Sequence, residues 1–246
     1  MPSAALMTAQ EVAEALDISV ETVLKFTQNK QIPSTELANG EHRYDLSAVL
    51  AALPFVKERS IDYPVKQPLT YEDYLKIPNE PGVRIEILDG VLVKDPSPVP
   101  RHQFAGFRIA LILEKYFATR DPKGILFIAP LDITLTEVNV VQPDLLYVSG
   151  SQKSIIEEKR INGAPEIVVE VLSPGSLHKD RVLKMEIYLK AGVGHYWLVD
   201  PHEKTFEAYQ LSGGKYVLVA TGRGTDTVLH PDFPGLKVNL EELWQD

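Results

Sequence analysis

Cysteine is absent from the 246-residue chain. That removes disulfides, thiolate metal sites and cysteine nucleophiles, and it fits a reducing compartment. Long apolar runs are missing too. No stretch approaches the roughly 18 uninterrupted apolar residues of a membrane span, and the opening MPSAALMTAQEVAEAL lacks the basic-then-apolar order of a secretory signal. A cytoplasmic protein without membrane attachment is the expectation. Basic charge is also scarce: 25 Lys and Arg stand against 34 Asp and Glu, a formal net charge of -9. That balance argues against holding nucleic acid by bulk electrostatics, because such attraction comes from cations neutralising phosphates. An acidic protein can still work on a phosphodiester if a divalent ion offsets its carboxylates locally.

What is present divides the chain in two. Residues 1–55 read as a small, mostly helical unit. Thr8 with Glu11 forms a capping box ahead of Val12, Ala15 and Leu16 at helical spacing, and a second short helix carries Val20, Val23, Leu24 and Phe26. A turn at Asn39-Gly40, a brief strand at Arg43-Tyr44 and a last helix from Asp45 to Leu53 complete it. Residues 56–68 lack periodicity and contain Pro64 and Pro68, as a linker does. From 69 to 246 strands alternate with helices, including a hairpin turning at Asp89-Gly90, a long amphipathic helix from His102 to Ala118, and strands at 144–148, 166–172 and 196–200. That order predicts an α/β domain with a central sheet.

Glu170 interrupts the otherwise apolar strand EIVVEVLS. A carboxylate between Val169 and Val171 must hold a cation, pair with Arg or Lys, or sit at a solvated strand end. Asp144 follows Pro143 at the start of a second apolar strand, either as a turn cap or as a group aimed from the sheet edge. Asp180 and Lys184, four apart on a helix, share a face, which an ordinary i, i+4 ion pair would also explain. Glu86 in RIEILDG and His102 at a helix start gain weight only as members of this set. Together the residues suit phosphodiester hydrolysis. Asp144, Glu170 and Glu86 would give oxygen ligands to Mg2+ or Mn2+, and Lys184 would bring positive charge to the phosphate and orient the water.

The ordered segments RIEILDG, APLDITL, VVQPDLLYVS, GAPEIVVEVLSP, the helix from Asp180 to Tyr188 and GVGHYWLVDP resemble the Uma-two family of restriction-endonuclease-like proteins, a branch of the PD-(D/E)XK nucleases. The resemblance covers roughly Leu69 to Trp244. It implies a central mixed sheet flanked by helices and a Mg2+- or Mn2+-dependent endonuclease acting on DNA. Asp144 would be the Asp of the PD motif, Glu170 the acid of (D/E)XK, and Glu86 the upstream acid, with His102 and Asp180 as supporting neighbours. Leu172 occupies the place of the pattern's lysine, so Lys184 on the following helix becomes its stand-in, chosen over Lys179, Arg181 and Lys190. His195 stands where relatives more commonly carry an acid.

Residues Leu6 to Leu53 are similar to an excisionase or MerR-type winged helix-turn-helix. That likeness implies DNA contacts from Lys25, Gln28, Asn29 and Arg43. Within residues 1–66, however, six Lys or Arg face nine acids, so docking to a protein or dimerisation through this unit is an alternative. A homodimer is expected, since double-strand cleavage is simplest with two symmetric sites. The rival to the enzyme is a non-enzymatic DNA- or protein-binding regulator on a nuclease fold.

Overall fold

The computed structural model describes residues 6–16, 20–28, 30–37, 40–46, 48–49 and 67–245. The chain divides into two compact units, Met1–Lys66 and Gln67–Asp246. No helix among the described residues is long and apolar enough to cross a membrane.

In the first unit, α1 (Ala9–Leu16) and α2 (Val20–Gln28) precede a two-stranded antiparallel ribbon of β1 (Thr35–Glu36) and β2 (His42–Arg43). The capping box at the start of α1 is formed. Thr8 N donates to Glu11 Oε2 at 2.7 Å, and Glu11 N donates to Thr8 Oγ1 at 3.2 Å, so two otherwise unpaired amides are satisfied. Val12, Ala13, Val23, Ile32, Tyr44 and Val49 close a small core. Lys25 and Gln28 are exposed on α2, whereas Arg43 is half-buried and paired with Glu41 at 2.9 Å. Asn29, Asn39 and the segment 50–66, which holds most of the expected linker, lie outside the described residues.

The second unit opens with α3 (Tyr71–Tyr74) and the hairpin β3 (Val83–Leu88) and β4 (Val91–Pro96). Its two-residue turn puts Asp89 and Gly90 at φ of 48° and 78°, the left-handed region that an Asp-Gly pair tolerates. The long helix α4 (Pro100–Arg120) begins on a proline, whose fixed φ and missing N–H suit a first helical position. Next come β5 (Ile125–Ile128), β6 (Ile133–Thr136), β7 (Asn139–Val141), β8 (Leu145–Val148), β9 (Ile161–Asn162) and β10 (Ile167–Val171). A π-helical turn (Lys179–Lys184) runs into α5 (Met185–Ala191), followed by β11 (His195–Asp200), β12 (Thr205–Ser212), β13 (Lys215–Arg223), β14 (Thr227–Leu229), β15 (Lys237–Asn239) and α6 (Leu240–Trp244).

A mixed six-stranded sheet, ordered β13-β12-β11-β10-β8-β5, forms the centre. Its one parallel pair, β10 with β11, is joined by a crossover that contains the π turn and α5. Because side chains alternate across a strand, the sheet has two apolar faces. Leu145, Val169, Val171 and Trp197 pack with Ile109 and Leu113 of α4 on one of them. Leu146, Val168, Tyr196 and Leu198 pack on the other with Ile187 and Tyr188 of α5 and with Leu88, Ile133 and Val141 of a second, five-stranded sheet ordered β4-β3-β7-β6-β9. Glu170 and Glu86, each an even number of residues from an apolar member of that second core, are turned into it.

Candidate active site

Register brings the two sequence acids together. β10 and β8 pair antiparallel with Ile167 opposite Tyr147, Val168 opposite Leu146 and Val169 opposite Leu145. One further step sets Asp144 beside Glu170 on the same face, and Val171 N donates to Asp144 Oδ2 at 2.8 Å. β3 carries Glu86 in from the second sheet, where Gln142 N donates to Glu86 Oε1 at 2.8 Å. Glu86, Asp144 and Glu170 are 0%, 6% and 1% exposed. Carboxylates this deep must have cations nearby or hold protons.

The cations come from two places. Lys184, itself fully buried, puts Nζ 2.8 Å from Glu86 Oε1, 2.9 Å from Glu170 Oε1 and 3.9 Å from Asp180 Oδ1. Lys179 lies one π turn earlier, with Nζ 3.6 Å from Glu86 Oε2 and a bond to Asp95. This corrects the expectation that only Lys184 among the four helix cations faces the centre. The wider i→i+5 winding directs both lysines inward, while Arg181 pairs with Glu207 and Lys190 with Glu186 on the outside. On the Asp144 side, Arg84 donates to Oδ1 at 2.6 Å and His102, in the first turn of α4, reaches Oδ2 at 3.1 Å. Leu172, in the place of the pattern's lysine, is buried among Leu88, Val168 and Leu198 and contributes only packing.

Arg84 and Tyr188 are not among the sequence candidates, and Lys179 is weighed there only as an alternative to Lys184. Arg84 sits two residues before Glu86, hence on the same strand face, and Tyr188 one turn after Lys184; both spacings were available to find them. Tyr188 OH donates to Glu170 Oε1 at 2.8 Å, and Tyr196 OH donates to the Asp180 carbonyl at 2.9 Å.

Burial acts to raise the pKa of every acid here, and the neighbours decide which acids yield. For Asp144, the His102 hydrogen bond and the Arg84 guanidinium outweigh burial and hold the carboxyl well below the usual range. Glu86 is likewise lowered, because Lys184 and Lys179 overcome its burial. Glu170 goes the other way. Burial, reinforced by the charges of Asp180, Asp144 and Glu86, exceeds the help from Lys184 and pushes it up to about 8. Asp180 is raised by burial in the same manner. Lys184 stays charged, since the surrounding acids overcome the burial that would neutralise it.

Two observations bear on whether a divalent ion suits this centre. Glu86 Oε2 is buried without a hydrogen-bond partner. Five carboxylates, Glu86, Asp95, Asp144, Glu170 and Asp180, also share three permanent cations, Arg84, Lys179 and Lys184. With every carboxylate ionised, as an ion displacing the Glu170 proton would leave them, the formal excess of two negative charges matches one divalent ion, and the all-oxygen donor set matches Mg2+ or Mn2+. A groove of about 710 Å³, with Gln103, Gln142, Asp132 and Lys159 in its wall, meets the centre at Arg84, while Glu86, Asp144, Glu170 and Lys184 lie outside its lining.

The mixed sheet thus sets Asp144 and Glu170 side by side on adjacent strands, with the buried Lys184 bound to Glu170. The chain belongs to the Uma2 family, described as "putative restriction endonuclease", whose sequence profile matches residues 71–241. The fold is similar to that of a crystal structure from Anabaena variabilis ATCC 29413, described as a "putative nuclease belonging to DUF820". That likeness has a TM-score of 0.59 at 21% identity and covers 72% of this chain and 98% of the other. No functionally curated protein matches the chain.

Proposed function

We propose that the protein is a divalent-metal-dependent endonuclease that hydrolyses DNA phosphodiester bonds at the centre formed by Asp144, Glu170, Glu86 and Lys184. The observation that carries this reading is the convergence of Glu86, Glu170 and Lys184, with Asp144 beside Glu170, drawn from two sheets and a crossover helix, where a buried Glu86 oxygen accepts no hydrogen bond and faces Lys179 at 3.6 Å. When bound, Mg2+ or Mn2+ would supply a Lewis acid for the scissile phosphate and acidify a water molecule.

The chain's own residues set the rest. Asp144 and Glu170 would hold the ion from neighbouring strands, with Glu86 completing the oxygen set. His102 and the Val171 amide fix the Asp144 carboxylate, and Tyr188 fixes Glu170, so the donors need little rearrangement. Lys184 places a permanent positive charge against the metal-holding acids, where it can stabilise charge developing on the phosphate. Arg84, shared between Asp144 and the groove wall, is placed to exchange its carboxylate partner for a phosphate entering along the groove. The test is conversion of supercoiled plasmid to nicked and linear forms with Mg2+ or Mn2+, and its suppression by a chelator. Intact plasmid across DNA substrates and metals would favour the regulator reading, which draws on the present saturation of Asp144 by Arg84, His102 and the Val171 amide.

Metal affinity is expected to depend on pH. Glu170 keeps its proton in the folded, metal-free protein up to about 8, against 4.5 for the ordinary side chain. Between those values the fold binds a proton that the unfolded chain does not, so the contribution of Glu170 to stability is fully present below the lower value and is lost as pH rises through the upper one. An ion must displace the same proton. Mn2+ affinity should therefore rise by up to about tenfold per pH unit as pH approaches 8 and then level off. Calorimetric titration in buffers of different ionisation enthalpy should register the released proton. A constant affinity from about pH 6 to pH 8 would contradict the protonated Glu170.

We assign the first unit to targeting or dimerisation as a helix-turn-helix, with Lys25, Gln28, Asn29 and Arg43 as its DNA contacts. The support is the pair of short helices followed by a ribbon, with Lys25 and Gln28 exposed on α2. Removing residues 1–66 should leave cleavage intact and weaken binding to DNA with a shallower salt dependence. Unchanged binding with the same salt slope would reassign the unit to protein docking.

A further inference from the structure

The sheet face opposite Glu170 carries a second polar cluster, unconnected with the nuclease centre. His195 opens β11 in register with Ile167, on the side chain alternation shared with Trp197 rather than Leu198. His230 and Asp232 lie just beyond β14. The two imidazole centroids are 5.4 Å apart, and His230 stacks on Trp197 at 5.2 Å with Phe233 against both histidines. The histidine side chains are only 7% and 1% exposed. Buried polar atoms are normally satisfied, yet His195 Nδ1 and His230 Nε2 have no hydrogen-bond partner. Packing of neutral histidines in an aromatic cluster accounts for the stacking but not for these two unsatisfied nitrogens.

We propose that His195, His230 and Asp232 form a zinc site that ties the turn after β14 to the start of β11. One potential ligand atom from each residue lies within 4.8 Å of the others. Ligands about 2.1 Å from a common tetrahedral ion are about 3.4 Å apart, so the set must close by up to about 1.4 Å. The Asp232 side chain, 32% exposed, has room to supply that movement. Two imidazoles and one carboxylate are a donor set for zinc rather than for the hard ions suited to the all-oxygen centre across the sheet. Burial lowers the pKa of both histidines, His230 to about 4, so near neutrality they offer lone pairs without first losing a proton. The partly open Asp232 side leaves a fourth position to water. One contact opposes the ion: Asp232 N donates to His230 Nδ1 at 3.2 Å, and coordination through Nδ1 would cost that hydrogen bond.

Zinc titration of the metal-free, full-length protein in excess Mg2+ tests the proposal, because Mg2+ occupies the oxygen centre during the measurement. One zinc per chain and a higher melting temperature are expected. Asp232→Asn should weaken zinc binding by on the order of tenfold or more and remove the thermal shift, whereas Asp144→Asn should leave both unchanged. His195→Gln should also lose the ion, and the half-open Asp232 keeps the test valid if that buried variant fails to fold. Absence of zinc binding, equal affinity in Asp232→Asn, or loss of the ion in Asp144→Asn would each overturn the site. The outcome is independent of whether the protein cleaves DNA.

Discussion

Glu170→Gln is expected to abolish metal-dependent cleavage, with a fall in rate of at least 10² to 10³, on the order found when one electrostatic contact to a transition state is lost. The replacement has the same shape. Its amide oxygen can still accept from Lys184 and Tyr188, which approach Glu170 Oε1 at 2.9 and 2.8 Å, so the fold should survive. Removing a group whose ionisation burial already opposes should also cost little stability. Asp144→Asn should lose activity to a similar degree but lower the melting temperature, because it removes the anion facing Arg84 at 2.6 Å with that arginine side chain only 16% exposed. Plasmid cleavage and thermal melting, measured together, separate the two effects. Cleavage by Glu170→Gln at the wild-type rate would remove Glu170 from the catalytic centre.

Lys184→Met has the second large effect, and it acts on both stability and turnover. The methionine keeps most of the apolar stem but leaves Glu86 and Glu170 facing each other without the ammonium between them. Breaking a buried ion pair typically costs about 3–5 kcal/mol, here reduced to the extent that the acids take up protons. Turnover should fall by about 10² or more. The combination has a distinguishing signature: Mn2+ should stabilise Lys184→Met more than it stabilises the wild type, because the ion restores the missing positive charge. Lys190→Met is the control, since Lys190 is exposed and pairs with Glu186 at 2.8 Å, away from the centre. If Lys184→Met cleaves as well as the wild type, Lys184 is a structural counter-ion and nothing more.

The parts of the fold that depend on local pattern were legible in the sequence. The hairpin at Asp89-Gly90, the long amphipathic helix and the apolar strands around Glu170 follow from turn chemistry and from periods of 2 and 3.6. β7 and β9, of three and two residues, are too short to show a period and are held by their sheet partners. For the site, Glu170 stood out because a carboxylate within an apolar strand needs an explanation, and Lys184 because it follows Asp180 by one turn. Arg84 reaches Asp144 across 60 positions of sequence, a pairing that only the packing of two sheets decides. Regular α-helical winding would leave Lys179 off the face shared by Asp180 and Lys184, and the π turn places it inside. His195 was visible only as an unusual residue. Its neighbours His230 and Asp232 are more than 30 positions away and meet it where the turn after β14, a strand of a separate two-stranded sheet, packs against the start of β11.

The most direct test of the nuclease assignment is diffraction from a crystal soaked in Mn2+ at an X-ray energy where manganese scatters anomalously. The account predicts one anomalous peak within coordinating distance of both Asp144 and Glu170, about 2.0–2.3 Å from their oxygens, with Arg84 drawn away from Asp144. A saturating soak that leaves no peak there, with Lys184 and Arg84 still bound to their carboxylates, would contradict it.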